Sequence, residues 1–255
     1  MTMTSEAKPS GARTGQPALV LLHGFALDSR MWRRQVEAFG DDYRILTLDL
    51  PGFGPQAREV GEVDPAAGVL CALDVAKIER AHLVANSFGA AVAADFALQH
   101  RDRVLSLTLS GPLLLGRRTG IDAWARCVAL AGEGDRATAA EIWLDDPLFE
   151  GLRQDEELFE ELRQIVLDYG GGHWTGRVSS RWSDPDPVPN LRKLDIPALV
   201  ISGEMDIPSF MIMAEAYART LPHARREIIQ GAGHLANIER ADEWNALLRD
   251  FLKNL

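Results

Sequence analysis

The stretch His82-Leu83-Val84-Ala85-Asn86-Ser87-Phe88-Gly89-Ala90-Ala91 joins an apolar run to an alanine-rich segment. The apolar run predicts a β-strand, and the segment after it predicts a helix. A strand that turns this sharply into a helix tolerates only very small residues at the flanking positions, here Ala85 and Gly89. Such a turn pushes one side chain, that of Ser87, out above the sheet. A serine in a small-residue turn also occurs for purely structural reasons, so its role depends on what the rest of the chain places beside it.

Further apolar runs along the chain alternate with helical patterns. With Ala81–Ala85, the predicted strands are Ala18–Leu22, Arg44–Leu48, Val104–Leu109, Pro197–Ser202 and Arg225–Ile229. Nearly continuous apolar runs are typical of parallel strands that are covered on both faces. Ser29 is the predicted N-cap of the first helix. Strands alternating with helices predict an α/β fold with a mostly parallel, doubly wound sheet.

The alternation stops between Pro112 and Pro189, where the pattern predicts helices and no strand. Residues 121–131, 137–144 and 156–169 are the predicted helices, and 183–189 reads as a stiff linker back to the sheet. We therefore expect a helical cap at 112–189, inserted between two parts of one core at 18–111 and 190–255. Residues 1–17 are expected to form a disordered tail.

Composition narrows the classes of partner. The chain has 255 residues and a formal net charge of −10, which argues against nucleic acid or an anionic membrane as the main partner. Cys71 and Cys127 lie in apolar stretches, without metal-ligand spacing, and are expected to be buried thiols. The sequence also contains no secretory signal pattern and no apolar run of membrane-spanning length. We therefore expect a cytoplasmic protein. The charge does not limit which small molecules it binds, and we expect no metal and no organic cofactor.

A nucleophilic serine needs a base and a carboxylate that orients the base, and candidates for both follow two other predicted strands. Asp206 follows the strand 197–202, and His234 follows the strand 225–229. Because the carboxyl ends of parallel strands share one edge of the sheet, the three side chains are expected to converge there. The order Ser, Asp, His is one of the known orders of a nucleophile, an orienting acid and a base. Glu204 is the alternative candidate for the orienting acid.

Backbone donors and cap side chains complete the predicted site. The main-chain N–H groups of Phe25 and Phe88 are the expected oxyanion hole, and His23 and Asp49 are expected to be structural. Within the insertion, the predicted substrate contacts are Trp143, His173 and Trp174. Phe149 and Trp182 are further candidates for the pocket wall. Arg117 and Arg118 could contact a substrate carboxylate, but a solvent-exposed position is the simpler interpretation for both.

Taken together, these motifs resemble the α/β-hydrolase superfamily across nearly the whole chain after residue 17. They are Leu21-Leu22-His23-Gly24-Phe25, Asp49-x-Pro51-Gly52-x-Gly54, the Ser87 turn, Gly203-x-x-Asp206 and Gly231-x-Gly233-His234. Residues 27–32 and 234–239 are similar to the 3-oxoadipate enol-lactone hydrolase-like branch. The departures are Ala85 and Ala90, where glycine is usual, and Arg240, where proline is common. The resemblance implies a capped α/β-hydrolase fold that hydrolyses a carboxylic ester or lactone.

Three alternatives stay open at this point. Related enzymes use the same side chains to hydrolyse carbon–carbon bonds of vinylogous diketones, and some similar proteins show perhydrolase activity. From a different class, the fold also serves as a non-catalytic ligand receptor.

Overall fold

A six-stranded parallel sheet forms the centre of the computed structural model, which describes residues 16–55, 57 and 59–255. The strands of this sheet are β1 (Ala18–Leu22), β2 (Arg44–Leu48), β4 (Ala81–Asn86), β5 (Val104–Ser110), β7 (Pro197–Gly203) and β8 (His223–Ile229). They confirm the predicted α/β class and all the predicted strands, although β8 begins at His223 rather than at Arg225. Apart from its last two residues, the tail expected at 1–17 lies outside the described residues.

The sheet has the strand order β2-β1-β4-β5-β7-β8, and every neighbouring pair is parallel. The chain winds from β1 to β2 in one direction and from β4 to β8 in the other. The winding therefore reverses between β1 and β4, which is where open α/β sheets bind ligands beyond the carboxyl ends of their strands. Ser87 follows directly after β4 at this position.

Helices cover the sheet and the edge above it. They are α1 (Arg33–Phe39), α2 (Pro65–Val75), α3 (Phe88–Gln99), α4 (Ala123–Gly132), α5 (Arg136–Leu144), α6 (Glu156–Asp168), α7 (Val188–Leu191), α8 (Pro208–Thr220), α9 (Ala236–Glu239) and α10 (Ala241–Lys253). The apolar stripe of α10 packs inward, and the Nε1–H of its buried Trp244 donates to Ser110 Oγ at 3.1 Å. Trp244 also contacts Trp32, with 6.0 Å between the ring centroids.

The predicted N-cap of the first helix and part of the predicted linker are wrong. A 3-10 turn at Ser29–Trp32 precedes α1, and its N-cap is Asp28 rather than Ser29. The extended Asp28 accepts the N–H of Arg30, whereas Ser29 lies inside the turn and donates its own N–H to Asp49. The predicted linker at 183–189 also contains the start of α7. Ser183 at its other end is held by Asp95, which accepts the Ser183 N–H at 3.1 Å.

The insertion contains the helices α4, α5 and α6, but the prediction that it has no strand is wrong. Strand β6 (Val178–Ser180) pairs in parallel with β3 (Gly61–Val63), which was not predicted either. Each strand has three residues, too few for an alternating pattern to appear in the sequence. Their pairing joins the insertion to a segment of the core that is more than a hundred residues away in the chain.

No helix within the described residues combines the length and the apolar character that are needed to cross a bilayer.

Candidate active site

Ser87 occupies a strained turn between β4 and α3. Its φ is +50° and its ψ is −113°, a conformation that costs a non-glycine residue about 1–3 kcal/mol. The turn brings α3 so close to β1 that a Cβ at Gly89 would lie 2.4 Å from the carbonyl oxygen of Leu22. The fully buried Ala85 is accommodated on the other side. The small residues therefore allow the strained turn that presents Ser87 at the switch point.

Asp206 and His234 meet at the same edge of the sheet. The two carboxylate oxygens of Asp206 lie 3.0 and 2.9 Å from His234 Nδ1, and both residues are buried. The Ile207 N–H donates to Asp206 Oδ1 at 2.8 Å, and the Phe210 ring packs against the imidazole with centroids 4.4 Å apart. The buried carboxylate thereby holds the imidazole with Nδ1 toward Asp206.

Glu204, the rival acid, has other partners. Its Oε2 accepts the N–H of Gly231 at 3.1 Å. Glu204 therefore holds the turn between β8 and His234, whereas Asp206 contacts His234 itself.

Glu239 is a further residue at this site, and the sequence analysis did not single it out. Its carboxylate accepts the N–H groups of Gly233 and Leu235, the two neighbours of His234. Burial raises the pKa of Glu239, although the two main-chain donors oppose that rise. A glutamate five residues after the histidine was visible in the sequence, but nothing local indicated that its side chain turns back toward that histidine.

The loop after β1 is held by His23. His23 Nε2 accepts the Leu50 N–H at 2.9 Å, and Nδ1 lies 2.8 Å from the Gly24 carbonyl oxygen, so that Nδ1 carries the proton. Burial lowers the pKa of His23, which keeps the imidazole neutral. Met31 Sδ accepts the Gly24 N–H at 3.5 Å. The structural role predicted for His23 is therefore confirmed, and Phe25 follows directly in the loop that His23 fixes.

Ser87 and His234 both line a cavity of about 370 Å³, to whose wall residues of the insertion contribute. Its wall is mainly aromatic and aliphatic. The lining residues are Gly24, Phe25, Leu27, Asn86, Ser87, Phe88, Leu113, Leu115, Thr119, Ile121, Trp124, Trp143, Leu148, Phe149, His173, Ser180, Trp182, Phe210, His234 and Leu235. Both residues predicted to form the oxyanion hole belong to this wall, as do Trp143, His173, Phe149 and Trp182.

Several predicted contacts lie elsewhere. Trp174 does not belong to the lining; it is buried against Trp143 and Tyr169, with ring centroids 6.0 and 5.0 Å away. The loop turns the Trp174 indole into the core of the insertion, so the structure gives no support to its predicted substrate contact. Arg117 and Arg118 are exposed, and Arg117 lies 3.6 Å from Asp186.

Other lining residues were not predicted from the sequence. Four of them, Leu113, Leu115, Thr119 and Ile121, belong to the irregular segment between β5 and α4, and the rest are Leu27, Asn86, Trp124, Leu148, Ser180, Phe210 and Leu235. Periodicity indicates which face of a helix is buried, but it does not indicate which residues of an irregular segment face a cavity.

The cysteines lie away from the cavity wall. Cys127 is buried and donates to the Ala139 carbonyl oxygen at 3.2 Å, but Cys71 is exposed, contrary to the prediction that both are buried. Within the described part of the chain, no three His, Cys, Asp or Glu side chains are grouped so that they would hold a metal ion.

Comparisons with known proteins agree with this architecture. The model of the alpha/beta hydrolase fold family matches residues 17–241. The chain is 32% identical to a 2-hydroxy-6-oxononadienedioate/2-hydroxy-6-oxononatrienedioate hydrolase of Burkholderia vietnamiensis, over 94% of this chain and 88% of the relative. A thermophilic esterase from Thermogutta terrifontis is 28% identical, with a TM-score of 0.74 over 94% of this chain and 90% of the esterase. The enol-lactonase from Burkholderia xenovorans LB400 is 25% identical, with a TM-score of 0.79 over 95% and 94% of the two chains.

Proposed function

Because the chain belongs to the α/β-hydrolase fold family, we propose that it hydrolyses a small carboxylic ester or lactone through an acyl-enzyme on Ser87. The observation that carries this proposal is the pairing of His234 Nδ1 with the buried Asp206, 2.9 Å away, above a cavity that His234 shares with Ser87. Asp206 holds the imidazole in the tautomer that leaves Nε2 as the base.

The first half of the proposed reaction forms the acyl-enzyme. Ser87 Oγ attacks the substrate carbonyl while His234 Nε2 takes the hydroxyl proton. The main-chain N–H groups of Phe25 and Phe88 stabilise the negative charge that develops on the carbonyl oxygen, each contributing roughly 3–4 kcal/mol to transition-state stabilisation. The tetrahedral intermediate then collapses, and the leaving alkoxide takes the proton from His234.

The second half repeats these roles with water. His234 Nε2 removes a proton from a water molecule, whose oxygen attacks the acyl carbon. Collapse of the second intermediate breaks the bond to Ser87 Oγ, which recovers its proton from His234. In this proposal residues 112–189 act as the cap that excludes bulk water and shapes the acyl pocket.

Covalent labelling with a fluorophosphonate tests this function. The wild-type protein should label, and the variant Ser87→Ala should neither label nor hydrolyse a p-nitrophenyl ester above about a thousandth of the wild-type rate. The variant Ser179→Ala, whose side chain is exposed and does not belong to the lining, is the matched control and should label normally. Failure of the wild type to label, or equal labelling of Ser87→Ala, would reject the proposal and favour a non-catalytic receptor.

Hydrolysis of a carbon–carbon bond is the second candidate, favoured by the 32% identity to the dienedioate hydrolase of Burkholderia vietnamiensis. The two candidates share Ser87, His234 and Asp206, so those variants do not separate them. A direct comparison does: the kcat/KM for a p-nitrophenyl ester is measured against that for a 2-hydroxy-6-oxo-dienoate. The higher kcat/KM identifies the bond type for which the site is built.

A further inference from the structure

A chain of polar side chains lies in the insertion, and the proposed mechanism does not use it. Tyr169 Oη lies 3.1 Å from His173 Nδ1 and accepts the His173 main-chain N–H at 3.0 Å. On the other side of the ring, His173 Nε2 lies 3.4 Å from Ser180 Oγ. His173 and Ser180 line the cavity, whereas Tyr169 is buried behind them.

Aromatic contacts hold the His173 ring in place. It stacks on Phe53 with 4.5 Å between the ring centroids and an angle of 21°. It also contacts the rings of Phe25 and Phe88, with centroids 5.7 and 6.2 Å away. Phe88 follows Ser87 in the chain and its ring contacts the His173 ring, so His173 lies on the same cavity wall as the nucleophile. In the proposed mechanism the reacting carbonyl oxygen is bound by the N–H groups of Phe25 and Phe88, so a group bound by His173 is a different part of the substrate.

The protonation state of His173 follows from its surroundings. Burial lowers its pKa to about 4, so the imidazole is neutral at neutral pH. If the hydrogen of the Tyr169 hydroxyl is directed at Nδ1, the imidazole proton resides on Nε2 and is directed toward the cavity and Ser180. The 3.4 Å from Nε2 to Ser180 Oγ is longer than an ordinary hydrogen bond of about 2.7–3.2 Å. A substrate oxygen placed beside this pair, on the cavity side and about 2.7–3.2 Å from each atom, could therefore accept a hydrogen bond from both.

We propose that His173 Nε2 and Ser180 Oγ bind a neutral oxygen atom of the substrate, in a hydroxyl, ether or keto group several bonds from the scissile carbonyl. This inference rests on the proposed function and specifies the substrate class of the same site. The surrounding wall is largely aromatic and aliphatic, so polar substrate atoms find few partners there other than this pair. A substrate with a methylene group at this position leaves the partly buried Nε2 and Oγ with only their long contact to each other, which is how a polar pair in an apolar wall discriminates between substrates.

Matched esters test this assignment. The probes are the p-nitrophenyl ester of a straight-chain acid and analogues in which successive methylenes, well beyond the carbonyl, are replaced by an ether oxygen. The measured quantity is the ratio of kcat/KM for each ether analogue to that for the parent ester. For the wild type, one position of the oxygen should raise this ratio about five- to tenfold, as expected for one neutral hydrogen bond.

The variants Ser180→Ala and His173→Phe should bring that ratio back to about one. His173→Phe keeps an aromatic ring on Phe53 but removes both ring nitrogens. Ser179→Ala is the matched control, because Ser179 is the exposed neighbour in β6, and it should keep the wild-type ratio. A merely structural role would lower kcat/KM for all the esters alike, so the ratio would not change. A wild-type ratio near one at every position, or a preference that survives in both variants, would overturn the assignment.

A binding measurement keeps this test separate from the reaction itself. Binding of alkyl amides of the same acids to the variant Ser87→Ala, which lacks the nucleophile, is followed by tryptophan fluorescence, since Trp124, Trp143 and Trp182 line the cavity. The ether amide with the preferred oxygen position should bind about five- to tenfold more tightly than the methylene amide, and Ser180→Ala should abolish the difference. Equal affinities would overturn the assignment even if the protein hydrolyses no ester. Absence of labelling at Ser87, in contrast, would overturn the proposed function alone.

Discussion

The carboxylate of Glu239 holds the main chain on both sides of His234. One oxygen accepts the Gly233 N–H, and the other accepts the Leu235 N–H at 3.0 Å. Glu239 is not placed to exchange a proton with the substrate in the proposed mechanism. It is a positioning residue, and it acts by fixing the loop from which the His234 imidazole projects.

The variant Glu239→Gln should lower kcat/KM by about tenfold or more. A carboxamide offers one oxygen acceptor where the carboxylate offers two, so one of the two N–H groups loses its partner and the loop shifts. Displacements on the order of 1 Å at a reacting group cost up to about a hundredfold in rate. Because burial raises the pKa of Glu239, neutralising the side chain also relieves a desolvation cost. The free energy of unfolding should therefore change much less than the activity.

Steady-state kinetics and denaturant unfolding of the same preparation check this prediction. The exposed Glu243, near the start of α10, provides the control Glu243→Gln, which should behave as the wild type. Unchanged kcat/KM in Glu239→Gln would mean that Glu204 and the neighbouring turns position the loop without it.

The variant Asp206→Asn should lower kcat by about four orders of magnitude while the protein stays folded. The amide cannot stabilise the imidazolium, and its NH₂ group favours the wrong tautomer of His234. The variant Glu204→Gln keeps an oxygen that accepts the Gly231 N–H, so it should retain nearly normal kcat. Measuring kcat for both variants, with circular dichroism to confirm that they are folded, shows which carboxylate is the orienting acid. The opposite ranking of the two variants would identify Glu204 as the acid.

Gly89→Ala should destabilise the protein by at least about 2–3 kcal/mol, which is at the upper end of overpacking effects. The added Cβ would meet the carbonyl oxygens of Leu22 and His23 at 2.4 and 2.6 Å, and these backbone atoms belong to the end of β1 and the loop after it. Labelling at Ser87 should fall as well, because α3 and the strained turn must move. Unfolding in urea measures the first effect and fluorophosphonate labelling the second.

The reverse change at the other flank of the turn is the control. Ala85→Gly removes a single buried methyl group from β4 and should cost only about 0.5–1 kcal/mol. A cost equal to that of Gly89→Ala would contradict the close approach of α3 to β1.

The free energy of unfolding should fall as the pH is lowered from 7 to 5. Burial lowers the pKa of His23, and it lowers the pKa of both His82 and His173 to about 4. In the unfolded chain these groups titrate near pH 6.5, so between pH 7 and 5 they bind protons that the folded state does not bind. The unfolded state therefore binds more protons in this window, so stability rises with pH, by on the order of 1 kcal/mol for each such histidine.

His82→Asn isolates one of these contributions. His82 Nδ1 lies 2.8 Å from Ser106 Oγ inside the sheet, and an asparagine removes the titrating group. Urea unfolding at several pH values should give a shallower pH dependence for His82→Asn than for the wild type. An identical slope for His82→Asn would mean that His82 is protonated equally in both states.

Much of the site was predictable because the relevant signals are local. The strands end at Gly203 and Ile229, and Asp206 and His234 follow within a few residues of those ends. Parallel strands present their carboxyl ends at one edge, so the positions of those residues along the chain were enough to predict that they meet. The structure accordingly pairs Asp206 with His234 and places Ser87 and His234 on one cavity.

Local patterns were enough to predict the α/β class, the strands of the main sheet and the order of Ser87, Asp206 and His234, because hydrophobic runs and small-residue turns act over a few neighbouring residues. Tertiary structure alone decided that β3 pairs with β6, that Glu239 turns back on His234, and that Ser180 rather than Trp174 reaches the cavity. Those contacts join irregular or very short segments whose side-chain directions follow no period. Their positions depend on packing between parts of the chain that are distant in sequence, and no local pattern records that packing.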